Sequence, residues 1–282
     1  MSFYNGRTRL MPSQDLSIVP AILIPAVTFC IMFAIDYIWR SSKDLSLRFV
    51  TLLDYTAQSS DGLIVVSQDP SVPEAVQIAP SVNERTGIEF AYSFFLLVKE
   101  STFEGGQDKL RHVFHKGYRT AWPLMCPGVF IKEVTNTMRV VFNTNKSAYK
   151  YADINNIPIN KWFHVVLNCY NSGIDVYVNA NLAHRIKFDA NEFVYQNFQD
   201  LLIFSPNVST INGTTTPAAG ETIAFNGSFD GVLSSLKYAR YALSIKEINS
   251  LMAAGPSTKI IQNANDPNTG YLSDTWWSNQ QG

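Results

Sequence analysis

Between Ile157 and Phe188 the chain reads IPINKWFHVVLNCYNSGIDVYVNANLAHRIKF, two stretches of alternating character that meet at Asn171-Ser172-Gly173. Alternation with period two marks a strand with one buried face, and an Asn/Ser/Gly turn between two such runs specifies an antiparallel hairpin. A second tight turn is expected at Asn179-Ala180-Asn181. Around this hairpin the same pattern repeats in short pieces: IEFAYSFFLLV, LRHVFHKGY, GVFIKEV, TMRVVFNT, DLLIFSP and FNGSFDGVLSSLKYARYAL, separated by Gly, Pro, Asn or Thr. Many short strands with turns between them predict an all-β sandwich.

Composition agrees where it is needed. Ser, Thr, Asn, Val, Ile, Tyr and Phe are abundant in the 282 residues, and Lys plus Arg total 22 against 23 Asp plus Glu. A net charge of -1 supplies no basic field for a run of phosphates, so nucleic acid is not an expected partner. Cys30, Cys126 and Cys169 contain no C-x-x-C pair for zinc. Because Cys30 lies in an apolar segment, Cys126 and Cys169 are the one pair able to bridge, but two buried free thiols is the reading favoured here.

A second feature stands apart from the strands. From Leu16 to Ile35 no residue is charged, and twenty residues at 1.5 Å each span roughly 30 Å, the thickness of the hydrocarbon core. Arg7, Arg9 and Asp15 precede the run; Asp36, Arg40 and Lys43 follow it. Leu16, Ile22, Phe29 and Ile35 would then face lipid, with Tyr37 and Trp39 at the interface. The run is longer than the apolar part of a signal peptide and lacks a small-x-small cleavage site. Pro20 and Pro25 predict a kinked or partly irregular helix. The expectation is one N-terminal transmembrane helix with a lipid bilayer as partner.

The resulting division is an N-terminal tail (1–15), a transmembrane helix (16–40), a connector or first strands (41–86), a sandwich (87–254) and a C-terminal arm (255–282). Ser244 followed by Glu247 is a capping box that opens a short helix over SIKEINSLM. The arm loses periodicity and carries Trp276-Trp277, which suit docking on a partner.

The sequence PINKWFHVVLN...GIDVYVNANLAHRIKF is similar to the P-x-x-x-W-x-H-v plus y-v-N-G hairpin of laminin G-like domains in the concanavalin A superfamily. FNGSFDGVLSSLKYARYALSIKEI resembles that family's closing signature. The resemblance covers roughly residues 87–254 and implies a concanavalin A-like jelly-roll β-sandwich. On this reading Trp162 fills the core, Asp230 bonds backbone amides at a tight turn, and Ala180 in place of the usual turn glycine widens the second hairpin. The N-terminal segment together with GIEFAYSFFLLVKE also looks like proteins of large DNA viruses that infect algae. That resemblance implies a minor capsid protein in the virion, anchored in the internal membrane and touching other capsid or coat proteins.

A glycanase needs two carboxylates on one strand face, as in E-x-D-x-E, and neither Asp153 nor the pair Asp189 and Glu192 has a same-face acidic partner. His112 and His115, three apart in a strand, are expected on opposite faces and so not as a metal pair. His164 shares a face with Trp162. Asp175 and Asp189 are conceivable calcium donors at a sandwich rim, but a lone loop carboxylate is ordinarily solvated. The sequons at Asn145, Asn207, Asn212 and Asn226 place those residues on loops. No enzyme activity, metal or cofactor is expected. The leading functional expectation is a membrane-anchored structural protein. The alternative is a carbohydrate-binding lectin in which Tyr118, Trp122 or Tyr170 stacks on a glycan.

Overall fold

The computed structural model describes residues 18–47, 49–73, 75–81, 88–212 and 222–259, with side chains over 23–38 in the first stretch. The chain divides between Leu47 and Arg48 into two units. The first contains the helix α1 (Ile18–Leu47), which runs through Pro25. Thr28 Oγ1 donates within the helix to the carbonyls of Ile24 and Pro25, both at 2.9 Å. Among the described residues no helix is long and apolar enough to cross a membrane. The expected spanning anchor and single-pass membrane placement are corrected accordingly. Phe29, Ile35 and Tyr37 are exposed on α1; Leu16 and the side chains of Ile22 and Trp39 lie outside the described residues.

The second unit is a β-sandwich. Its first sheet is antiparallel throughout and runs β1 (Phe49–Gln58), β14 (Gly231–Ala239), β3 (Phe90–Val98), β8 (Trp162–Tyr170), β9 (Gly173–Val178), β10 (Asn181–Lys187). The second follows the order β12 (Val208–Ile211), β13 (Ile223–Ser228), β4 (Leu110–Gly117), β5 (Met125–Lys132), β6 (Thr137–Phe142), β7 (Lys150–Asn155). There β11 (Leu201–Ile203) pairs with β4 and with β2 (Ile64–Val66). Among the described residues of the stretch 41–86 there are two strands, one of them an edge of the first sheet.

Alternation sets the layers. Phe90, Tyr92, Phe94, Leu96 and Val98 of β3 point between the sheets and pack with Val113, Phe114, Val129, Ile131, Met138, Val140 and Phe142. Phe94 meets Phe114 edge-on at 4.9 Å between ring centroids. Burying side chains of this size contributes about 1.5–3 kcal/mol each, which makes the inter-sheet layer the main stabilising element. The opposite face of the first sheet presents Ala91, Val166, Tyr177 and Ala239 to Leu243 and to Ile248 and Leu251 of the helix α2 (Ile245–Ala254).

The helix starts where the capping box predicts. Ser244 Oγ accepts from Glu247 N, and the Glu247 carboxylate accepts the Ser244 N–H at 2.8 Å. Ser244→Ala is expected to cost about 1 kcal/mol, the usual value of an N-cap, and to lower the thermal midpoint by a few degrees in calorimetry.

Three local expectations are revised. Trp162 opens β8 at its exposed end, 36% accessible, rather than in the core. The second hairpin is narrow: Val178 pairs with Asn181 across a two-residue turn in which Asn179 and Ala180 take φ of 48° and 61°. Both central residues in the left-handed region match the twist of the strands, and the Asn179 carboxamide oxygen accepts the His164 N–H at 2.9 Å. Asp230 uses its carboxylate on the Ser101 hydroxyl at 2.5 Å and the Lys99 ammonium at 3.0 Å, not on backbone amides.

Candidate functional site

The outward residues of β8, β9 and β10 form two rows across the sheet. Antiparallel register places Asn168 beside Asp175 and Asp175 beside Arg185. The next row is Tyr170, Gly173 and Lys187. Gly173 puts no side chain between Tyr170 and Lys187. Together with Ser172, Tyr177 and Phe188, these rows apart from the buried Asn168 bound a groove of ≈ 520 Å³ whose far wall is Leu243-Ser244-Ile245, the lead into α2.

A hydrogen-bonded network fixes the lining. Asn168 is fully buried, accepts the Leu243 N–H at 2.8 Å, and donates to Leu243 O at 2.9 Å and to the Tyr170 hydroxyl at 2.7 Å. Tyr177 lines the same groove as Tyr170 and Asp175. Asp175, almost fully buried, takes Arg185 Nε at 2.5 Å and Nη2 at 2.6 Å. The Arg185 side chain stays about half exposed. Burial and then the neighbouring Tyr177 and Asp175 push Tyr170 up to about 12. The hydrogen bond and charge of Asp175 raise the pKa of Arg185.

Of the three residues expected to stack on a sugar, Tyr170 lies in this groove and the other two do not. Tyr118 and Trp122 belong to the connection between β4 and β5 in the other sheet. Tyr118 is 46% exposed, while Trp122 packs edge-on against Tyr149 at 6.2 Å. Trp276 and Trp277 lie outside the described residues.

The histidine pair departs from its expectation. A register shift between His112 and Phe114 in β4 breaks strict alternation, so His112 Nε2 and His115 Nδ1 come within 2.6 Å. His112 Nδ1 accepts the Ser205 N–H at 2.9 Å. His115 Nε2 faces the Tyr118 carbonyl at 2.7 Å, which only an N–H can satisfy. The protons are therefore assigned to both Nε2 atoms, with both rings neutral. Burial holds His115 at about 4 and His112 well below the usual histidine value. His164 is bonded to Ser93 Oγ at 2.8 Å and lowered to about 4, first by burial and then by the charge of Lys237.

Several other ionisable groups are engaged within the fold. Asp153 pairs with Arg139 at 2.7 Å and Lys132 at 3.0 Å. Glu192 binds Lys150, the Thr144 hydroxyl at 2.8 Å and the Asp189 N–H at 2.8 Å. Lys116 donates to the carbonyls of Asn197 and Gln199, both at 2.7 Å, and burial draws it down to about 8. Cys126 and Cys169 are buried and free. Among the described residues no group of three His, Cys, Asp or Glu side chains is placed to hold a metal ion. The sequon amides also serve the fold: Asn145 Nδ2 donates to Asn191 O, Asn207 Nδ2 to Thr120 O, and Asn226 Nδ2 to Glu133. Asn226 stands in β13 rather than on a loop.

No protein-family model and no curated protein matches the chain. Among solved structures it is similar to the receptor binding domain of botulinum neurotoxin D, at 14% identity and a TM-score of 0.45, over 72% of this chain and 44% of that one. It is also similar to the botulinum neurotoxin serotype D ligand binding domain in complex with N-acetylneuraminic acid, at 12% and 0.44, over 73% and 51%. A third is the binding domain of Paraclostridial Mosquitocidal Protein 1, at 11% and 0.44, over 71% and 42%. The chain spans about half or less of the length of these structures, and likenesses at this level carry no argument about function.

Proposed function

We propose that this protein is a non-enzymatic binding module and that the groove on the outer face of β8, β9 and β10 takes a saccharide. The observation that carries the reading is the composition of one open groove: the aromatic rings of Tyr170 and Tyr177 beside an Arg185 fork held by a buried carboxylate. Apolar faces combined with a few fixed polar groups suit a ligand that has both apolar C–H faces and polar edges. The finer fold assignment, a concanavalin A-like jelly roll of laminin G type, belongs to the same proposal and rests on the hairpin from Ile157 to Phe188. A glycan array probed with the full chain and with Tyr170→Ala tests it. At least one glycan class is expected to be retained by the full chain and to lose roughly tenfold in affinity, about 1.4 kcal/mol, in the variant. Equal binding by both proteins would remove the groove from the account.

A second reading is a structural protein that binds other protein subunits, such as those of a viral coat. It is favoured by exposed aromatics on the segment between β10 and β11: Phe193 and Tyr195, ring centroids 5.6 Å apart, and Phe198, 73% exposed. Cross-linking mass spectrometry through Lys237 and Lys259 on native material distinguishes this reading by finding, or failing to find, protein neighbours.

A further inference from the structure

We infer that the groove holds its saccharide by an acetamido substituent, the methyl group against Ile245 and the carbonyl oxygen on Lys187. This rests on the saccharide reading above and adds to it a ligand class and two specificity-determining residues.

Ile245 is the residue that the fold does not account for. The start of α2 is held by two devices in which it takes no part. One is the capping box of Ser244 and Glu247. The other is a hydrophobic staple: Leu243, just before the cap, and Ile248, in the first turn, belong to one buried cluster on the outer face of the first sheet. Ile245, Ile248 and Leu251 follow one another at intervals of three and so form a single apolar stripe on the helix. Ile248 and Leu251 are buried on the sheet, whereas Ile245 is 54% exposed and lines the groove. A β-branched side chain at an exposed first helical position does not stabilise α2; acidic residues do so there.

Across the groove the sheet leaves a gap. Gly173 stands between Tyr170 of β8 and Lys187 of β10 and puts no side chain between them. The slot therefore has an aromatic ring on one side, an ammonium group on the other, and Leu243 and Ile245 along the far wall. Of the two cations at the groove, Arg185 is compensated by Asp175 at 2.5 Å. Lys187 is exposed and has no ion-pair partner among the described residues. The far wall supplies no free carboxylate: Glu247 already accepts from Ser244 N at 2.8 Å, Ser244 Oγ at 2.7 Å and the Tyr241 hydroxyl at 2.8 Å. An acetamido group matches this slot, because it is neutral, carries a methyl for the apolar wall and offers a carbonyl oxygen to a donor-only lysine. A hydroxyl has no methyl to bury. An ammonium group offers no acceptor and meets the uncompensated charge of Lys187.

The test titrates the full chain calorimetrically with three tetrasaccharides that differ in one substituent on each ring: chitotetraose (acetamido), cellotetraose (hydroxyl) and the chitosan tetramer (amino). One buried methyl and one hydrogen bond together correspond to about tenfold in affinity, so chitotetraose is expected to bind about tenfold more tightly than cellotetraose, and the chitosan tetramer more weakly than either. Ile245→Ala should reduce the acetamido-over-hydroxyl ratio to about threefold. Lys187→Met, which removes the donor and the charge, should reduce the same ratio by several fold and bring the chitosan tetramer close to cellotetraose. Both side chains are exposed and lie outside the capping box and the Asn168 hydrogen bonds, so the fold stands in either variant. Equal binding of chitotetraose and cellotetraose by the unaltered protein, an undiminished ratio in Ile245→Ala, or an array whose retained glycans all lack an acetamido group overturns the inference and leaves the saccharide reading standing. Failure of all three sugars, together with an empty glycan array, overturns both.

Discussion

Lowering the pH from 7 to 5 is expected to remove about 4 kcal/mol of folding stability, roughly 2 kcal/mol from each of His115 and His164. Both side chains are buried in the fold, where their pKa values stand at about 4 against 6.5 for a free histidine. A depressed histidine binds fewer protons folded than unfolded. Its contribution is therefore complete above pH 6.5 and is lost as pH falls through the interval down to 4. His112 shifts in the same direction and adds to the loss. Depressed carboxylates such as Asp153 and Asp230 extend it below pH 4, where their own protonation begins. Single domains have total stabilities of about 5–15 kcal/mol, so a loss of this size brings the sandwich near its unfolding threshold. Urea denaturation at a series of pH values measures it. A midpoint unchanged between pH 7 and pH 5 would contradict the neutral His112–His115 chain.

Gly173→Ala is expected to be the most damaging single change at the groove, costing about 3 kcal/mol or more. A Cβ at Gly173 would stand 2.2 Å from the Ile186 carbonyl oxygen, a backbone atom of the neighbouring strand that cannot rotate away. Relief requires β10 to move off β9, which breaks the register placing Arg185 on Asp175 and Lys187 beside Gly173. The variant should lose both thermal stability and ligand binding. Gly62→Ala, at a φ of 84° that strains any side chain but with no neighbouring atom within 4 Å of the added carbon, serves as a comparison that carries backbone strain without a clash. Differential scanning calorimetry on the two variants separates a local clash from the general cost of replacing glycine. Equal midpoints for both would show that β9 and β10 are less tightly fixed than their pairing implies.

The sandwich was readable because alternation over Phe90–Val98, Trp162–Tyr170 and Gly173–Val178 survives as real two-faced strands. The α2 start was readable because a capping box is a local device that needs no tertiary information. The groove was only partly readable. Tyr170 stood out as an aromatic next to a turn, but its neighbours are set by cross-strand register. The signal was present in three fragments, Asn168-x-Tyr170, Asp175-x-Tyr177 and Arg185-x-Lys187, each placing two side chains on one face of its strand. Joining them requires knowing that β8, β9 and β10 are adjacent and in that alignment. Asp175 was read as a solvated rim carboxylate because nothing local links it to Arg185, ten residues away across a turn. The histidine pair was misjudged for a related reason: a bulge shifts alternation by one residue, and no glycine or proline stands between His112 and His115 to announce it. The N-terminal apolar run suggested a spanning anchor through its length and lack of charge, whereas among the described residues no helix is long and apolar enough to cross a membrane.

The most direct measurement of the central claim is a map of amide shifts in the full chain as the glycan retained on the array is added, read by two-dimensional NMR on assigned signals. The account predicts saturable shifts at Tyr170, Gly173, Asp175, Arg185, Lys187 and Ser244, with the Tyr118–Trp122 connection unchanged. Shifts confined to the Tyr118–Trp122 connection, or none at any residue of the groove, would contradict it.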